Sequence, residues 1–164
     1  MKILGIDPGL IRTGYGLIDS NGPGAMRLVE AGIIKTASRD NIQTRLADIF
    51  NSLSDVMNEE KPDAVILEKI FSHYKHPATA ILMGHARGVI CLTCGLYGVR
   101  LVSYSATRIK KAVTGNGHAS KRQIQGVVKT LLGLKRLPEP ADISDALAMA
   151  ISFVYMGGAE EQDT

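Results

Sequence analysis

Four acidic residues occupy positions where a carboxylate can do chemistry: Asp7, Glu68, Asp142 and Asp145. Asp7 closes the apolar run Lys2–Asp7 just before Pro8 and Gly9, and Glu68 closes the short apolar run of residues 64–67. A carboxylate at the end of a buried strand emerges at a sheet edge, where ligands of α/β sheets collect. Asp142 and Asp145 are three apart at the start of a helical pattern, so they project from nearly the same face. If the four converge they repel and shift one another's pKa values. Divalent cations relieve that repulsion, and an all-oxygen donor set suits Mg²⁺ or Mn²⁺. Plainer readings stand beside this one: Asp142 as a helix cap, Glu68 as a solvated strand end, Asp7 as a turn aspartate.

The elements that must position these groups follow from periodicity. Residues 2–7, 13–19 and 26–36 read as three strands, joined closely enough to be antiparallel, with Asn21, Gly22, Pro23 and Gly24 marking a hairpin. Ile42, Leu46, Ile49, Phe50, Leu53, Val56 and Met57 recur at three- and four-residue spacing and predict an amphipathic helix that Pro62 ends. Asp40 with Gln43 is its expected capping pair. Residues 64–67 form a central strand, 71–77 a loop, 78–96 a buried helix and 100–104 a last strand. Helices are expected over 106–113, 120–134 and 142–155, the last burying Ile143, Leu147, Ala150, Ile151 and Val154. The loop 114–118, with Gly115 and Gly117, is expected to be mobile. A strand meander followed by alternating helix and strand implies an α/β protein: a mixed five-stranded sheet flanked by helices, in the order of the ribonuclease H-like fold. One domain over residues 1–156 and a short, acidic, disordered tail over 157–164 are expected.

Charge is segregated along the chain. Between Glu68 and Glu139 there is no Asp or Glu, while twelve Lys or Arg fall there, from Lys69 to Arg136. The remainder carries seven basic and sixteen acidic residues, a balance of −9. Such a basic block points to a polyanion, and phosphate neutralisation drives that kind of binding; a solvated basic face is the alternative. No N-terminal segment reads as a signal peptide, and Gly84, His85, Arg87, Gly88 and Gly95 interrupt the apolar stretch of residues 78–99, which argues against a membrane span. The cytoplasm is the expected compartment. Cys91 and Cys94 form a C-x-x-C, and His73 and His76 lie upstream, but both cysteines fall within a helical apolar pattern that favours core packing over zinc or redox chemistry.

Several stretches resemble the RuvC resolvases. Leu4-Gly5-Ile6-Asp7-Pro8-Gly9 with Thr13-Gly14-Tyr15-Gly16 is similar to the family's opening motif, and Leu67-Glu68-Lys69-Ile70-Phe71 to its second. Gly84-His85-Ala86-Arg87-Gly88 resembles its helix motif, Thr114-Gly115 with Lys121 its basic loop, and Ala141-Asp142-Ile143-Ser144-Asp145-Ala146-Leu147-Ala148 its late acidic motif. The resemblance runs in order from Met1 to Tyr155. Leu10 and Ile11 depart from it, standing where relatives more often hold small or polar residues, and the tail lacks the basic extension of some relatives.

The resemblance implies an Mg²⁺-dependent endonuclease that resolves four-way Holliday junctions by symmetric cuts, working as a homodimer in DNA recombination and repair. It implies that Asp7, Glu68, Asp142 and Asp145 bind two Mg²⁺ ions, which Mn²⁺ can replace, and that cutting leaves 5′-phosphate and 3′-hydroxyl ends. Lys121 would lie beside the scissile phosphate. Lys110, Lys111, Arg122 and Arg87 would contact DNA, although the lysines are equally open to a generic backbone role. Phe71 would insert at the junction, assisted by Tyr74, with a core position as its alternative. RuvA and RuvB are the partners the family suggests. Rival readings are another ribonuclease H-like nuclease acting on RNA–DNA hybrids or other branched DNA, a non-catalytic DNA-binding module, and an actin-like or sugar-kinase ATPase. The module has no need of the acidic quartet, and the ATPases use two such domains.

Overall fold

A computed structural model describes residues 1–69 and 77–159. Its elements run β1 (Lys2–Asp7), β2 (Arg12–Ser20), β3 (Met26–Lys35), α1 (Ile42–Glu60), β4 (Ala64–Glu68), α2 (Pro77–Tyr97), β5 (Arg100–Tyr104), α3 (Ala106–Thr114), α4 (Lys121–Leu131) and α5 (Ala141–Tyr155). The sheet order is β3-β2-β1-β4-β5. The β1–β2 and β2–β3 pairs are antiparallel, whereas β4 runs parallel to both β1 and β5. This is the mixed five-stranded sheet flanked by helices that the sequence predicts.

Side chains alternate across a strand, so two cores form, one on each face. Leu4, Ile6, Leu17, Val65 and Leu67 pack with Ile49, Leu53, Val56, Ala86 and Ile90 of α1 and α2. Ile3, Ile18, Ile66, Val102 and Tyr104 face the other way, against α3, α4 and α5. Helix α5 lies on the strands themselves. A β-carbon on Gly5 would overlap the carbonyl oxygen of Ala146, and one on Gly14 would overlap the backbone of Asp142. Glycine is what lets the helix backbone come this close. Burial of α5 is therefore almost all round, from Ala146 to Phe153, beyond the single stripe that periodicity suggests.

Helix α2 departs in the opposite sense. Ala86, Ile90, Thr93 and Cys94 are buried, but Ile81, Leu82, Leu92 and Leu96 are exposed, Leu96 at 64%. Gly84, His85, Gly88 and Gly95 lie on the same open side. The expected buried helix is thus apolar on a face that none of the described residues covers. Its span Ala78–Tyr97 is long and apolar enough to cross a membrane, yet its inner side packs on α1 and Arg87 is hydrogen-bonded to the sheet. Cys94 is in the core, where burial lifts its thiol to about 11, and half-buried Cys91 packs beside it.

Smaller corrections have local causes. The α1 cap is Asn41, whose side chain accepts from the Thr44 amide, not the Asp40–Gln43 pair. Helix α4 stops at Leu131, three residues before the expected end, with Gly133 at positive φ just beyond. The segment expected to be mobile is a closely bonded turn: Thr114 and Asn116 side chains bond the backbone at 114–118, and Ala119 is buried behind them. The start of the expected disordered tail is also tied down, since Arg100 donates to the Gly158 carbonyl and the Tyr104 hydroxyl to that of Ala159.

Candidate active site

Alternation places the two strand-end carboxylates. Ile3 faces α5, so Gly5 and Asp7 do as well; Ala64 and Ile66 face α5, so Glu68 does. β1 and β4 are parallel and in register up to Ile6 opposite Leu67, which leaves Asp7 and Glu68 side by side at the same end. Helix α5 starts over that end. Asp142 stands in its first turn with Pro140 at the cap position, so Asp142 is not the helix cap. Asp145 follows one turn later on the same side.

A cleft of about 290 Å³ is lined by Asp7, Glu68 and Asp145, together with Lys110 from α3 and Lys121 from the start of α4. Ser120 caps α4 in a reciprocal capping box with Gln123, which fixes where Lys121 begins. Lys121 Nζ lies 3.3 Å from Asp145 Oδ2. Asp142 sits just outside the cleft lining and pairs with Arg12, Nε to Oδ2 at 3.5 Å. That separation is within ion-pair range but the pair is not aligned as a hydrogen bond, and Asp142 Oδ2 is buried with no hydrogen-bond partner.

The electrostatics follow from this crowding. Burial, then the charges of Asp145, Asp142 and Glu68, lift the Asp7 carboxyl to about 7. Burial and Asp145 also raise Glu68, against the lowering influence of Lys110 and Lys121. Asp145 holds Lys121 above its usual range, so its ammonium stays charged. Among the described residues, no three acidic, His or Cys side chains close into a ready ligand set. Like-charge repulsion favours such spacing, and Lys121 and Arg12 draw Asp145 and Asp142 to themselves. An oxygen-only donor set, a carboxyl poised near neutrality and an orphaned buried carboxylate oxygen together fit a hard divalent cation.

The other candidate residues divide. Lys110 and Lys121 line the cleft, while Lys111 and Arg122 are exposed beside it, Arg122 lining a neighbouring groove on α4. Arg87, expected to contact DNA, is turned inward: it donates to the Glu68 carbonyl at 2.7 Å and to Ser103 Oγ at 2.9 Å. Phe71 and Tyr74, like His73 and His76, lie outside the described residues. Arg12 is the residue that sequence reasoning misses, since an arginine in a turn gives no sign of the carboxylate it meets 130 positions later.

A model of the family described as crossover junction endodeoxyribonuclease RuvC matches residues 3–153. A protein of that name from Rhodopirellula baltica is 51% identical over 154 residues, covering 94% of this chain and 86% of the relative. Its counterpart from Caldicellulosiruptor saccharolyticus is 40% identical over 154 residues, covering 94% and 92%. Among solved structures, Thermus thermophilus RuvC in complex with a Holliday junction substrate superposes with a TM-score of 0.91 at 31% identity, covering 98% of each chain. The yeast mitochondrial Holliday junction resolvase Ydc2 shares the fold, with a TM-score of 0.67 at 14% identity over 93% of this chain and 77% of its own. An acidic cleft at the strand ends, this order of elements and this breadth of likeness lead to one conclusion: the chain belongs to the RuvC family of crossover junction endodeoxyribonucleases.

Proposed function

We propose that the chain resolves Holliday junctions by hydrolysing a phosphodiester in the cleft between β1, β4 and α5, as a single nuclease domain over residues 1–156. The observation that carries this reading is the meeting of Asp7, Glu68 and Asp145 with Lys110 and Lys121 in one cleft. Asp7, Glu68, Asp142 and Asp145 would hold two Mg²⁺ ions, with Mn²⁺ as a substitute. Bound there, the cations supply positive charge for the attacking and leaving oxygens of an in-line displacement.

The chain's own groups do the rest. Asp7, whose carboxyl is lifted to about 7 by burial and its acidic neighbours, would hold a cation as the carboxylate. Lys121 stays charged beside Asp145 and meets the scissile phosphate; Lys110, Lys111 and Arg122 extend the contact along the backbone. Phe71, three residues after Glu68 in sequence, would insert at the crossover, where strained bases are unstacked at lower cost than in duplex; base–aromatic stacking contributes about 1–3 kcal/mol. Tyr74 assists it.

Two symmetric cuts require two sites related by a two-fold axis. The uncovered apolar side of α2 supports a homodimer: Ile81, Leu92 and Leu96 supply the contact, and Gly84 and Gly88 allow close approach. The family resemblance adds RuvA and RuvB as partners at the junction, and the DNA substrate assigns the work to the cytoplasm. Incubation with Mg²⁺ and a synthetic four-way junction, an RNA–DNA hybrid or linear duplex tests the reading. Paired nicks at the crossover are expected, with little cutting elsewhere. Preferential cutting of the hybrid would overturn it.

A further inference from the structure

We infer that Arg87 is a positioning residue for Glu68, acting from the opposite face of the sheet rather than on DNA. Glu68 is the last residue of β4 and its side chain faces α5. Arg87 belongs to α2, on the other face, where Ala86 and Ile90 seat the helix in the core. Its guanidinium bridges the ends of two strands, one NH₂ group donating to the Glu68 carbonyl at 2.7 Å and the other to Ser103 Oγ of β5 at 2.9 Å. The next amide, that of Lys69, donates to the Tyr104 carbonyl at 2.8 Å. Both polar groups of the 68–69 peptide are therefore bonded, one to α2 and one to β5. A peptide held on both sides fixes the direction in which the Glu68 side chain leaves the strand.

Position matters here because, among the described residues, the strand pairing stops at this point. β4 ends at Glu68, and the ladder with β5 ends at the Glu68–Tyr104 pair. A last strand residue without such an anchor frays. Arginine suits the task because its planar fork reaches two acceptors at once in a fixed geometry, which lysine cannot do. Asp7 and Glu68 each end an interior strand with one ladder partner, Gly14 and Tyr104 respectively, and at Glu68 the Arg87 guanidinium adds a second hold on the backbone.

The inference rests on Glu68 serving as a cation ligand, and the experiment separates the two ideas. Arg87→Met, Arg87→Lys and Ser103→Ala are compared with Glu68→Gln in the full-length protein. The readouts are junction affinity without divalent metal, its salt slope, the Mg²⁺ concentration giving half the maximal rise in melting temperature, and single-turnover cleavage. Removing a group that orients a ligand typically costs about 10–100-fold in metal affinity or activity, and Arg87→Met is expected in that range. Arg87→Lys should lose less and Ser103→Ala least, all with wild-type junction affinity and salt slope. A salt slope reduced in Arg87→Met but unchanged in Arg87→Lys would make Arg87 a DNA contact and overturn the inference. So would wild-type Mg²⁺ response and cleavage in both Arg87→Lys and Ser103→Ala, whatever the stability of Arg87→Met. Near-normal cleavage by Glu68→Gln would instead overturn the reading of the site itself.

Discussion

Asp7 has the most distinctive electrostatics in the molecule, and its sign gives a test that needs no substrate. Its folded-state value of about 7 lies above the ordinary 3.8, so between those limits the native state holds a proton that the unfolded chain releases. Stability from this group is full below about pH 4 and is lost as pH rises through 7. Metal-free protein should therefore melt lower at pH 7.5 than at pH 5.5 on this account. Asp7→Asn, a close stand-in for the protonated acid, should flatten that dependence and raise the melting temperature at pH 7.5. The same substitution should abolish junction cleavage and the stabilisation that Mg²⁺ gives. Parallel melting curves with pH for wild type and Asp7→Asn would refute the burial argument. Lys110 makes a second case. Each phosphate contact contributes about 0.9 to the slope of log affinity against log salt. Lys110→Ala should lower the slope by about that much, while Lys61→Ala, just before β4 at the opposite end of the sheet from Glu68, should leave it unchanged. Filter binding across a salt series measures both.

Among the elements, α4 and α5 deliver their charges through backbone devices whose loss can be measured. Ser120→Ala removes one half of the α4 capping box and should cost about 1 kcal/mol in denaturant unfolding, with cleavage falling further than stability because Lys121 is the first residue beyond the cap. Gly14→Ala places a methyl where the Asp142 backbone lies. Overpacking of this kind costs about 1–3 kcal/mol, and the shift it forces on α5 should reduce cleavage well beyond what the lost stability explains. Full activity with full stability would mean that α5 tolerates displacement. These elements also mark how far the sequence could be read. Strand order, the carboxylate pair at the strand ends and the first turn of α5 were legible because period and punctuation determine them. The burial of α5 was not, because its cause is the missing side chains of Gly5 and Gly14 on two other strands. The partners of Arg87 and Arg12 were not legible for a related reason: a positive charge in sequence is no guide to which acceptor it faces, and the acceptors are far away along the chain. Asn41 displaced Asp40 as the α1 cap by a single position, within the reach of local competition between neighbouring polar side chains.

At the scale of the whole molecule, the proposed dimer turns on α2. Its apolar pattern marks a burying element, but among the described residues only the side carrying Ala86, Ile90 and Cys94 is covered, because hydrophobicity alone does not tell the core of one's own chain from a surface left for a partner. Leu92→Glu puts a charge in the middle of the open face without touching the buried side. The variant should sediment as a monomer at concentrations where the wild type is a dimer, and its melting temperature should change little at low protein concentration. Junction products should shift from paired nicks to isolated ones. Paired cutting by a protein that sediments only as a monomer would remove α2 from the mechanism.

The contact of α5 with the strands has a consequence for how such a site can change over generations. Every single-base change in a glycine codon that puts another amino acid in its place adds at least a β-carbon, and at Gly5 and Gly14 that carbon meets helix backbone. Neither position has a neighbouring residue to drift to. The open face of α2 has the opposite freedom, because in a two-fold contact one altered codon changes both partners together. In the proposed dimer, variation should therefore collect on the open face of α2, while the spacing of the carboxylates is inherited unchanged through residues that carry no functional group at all.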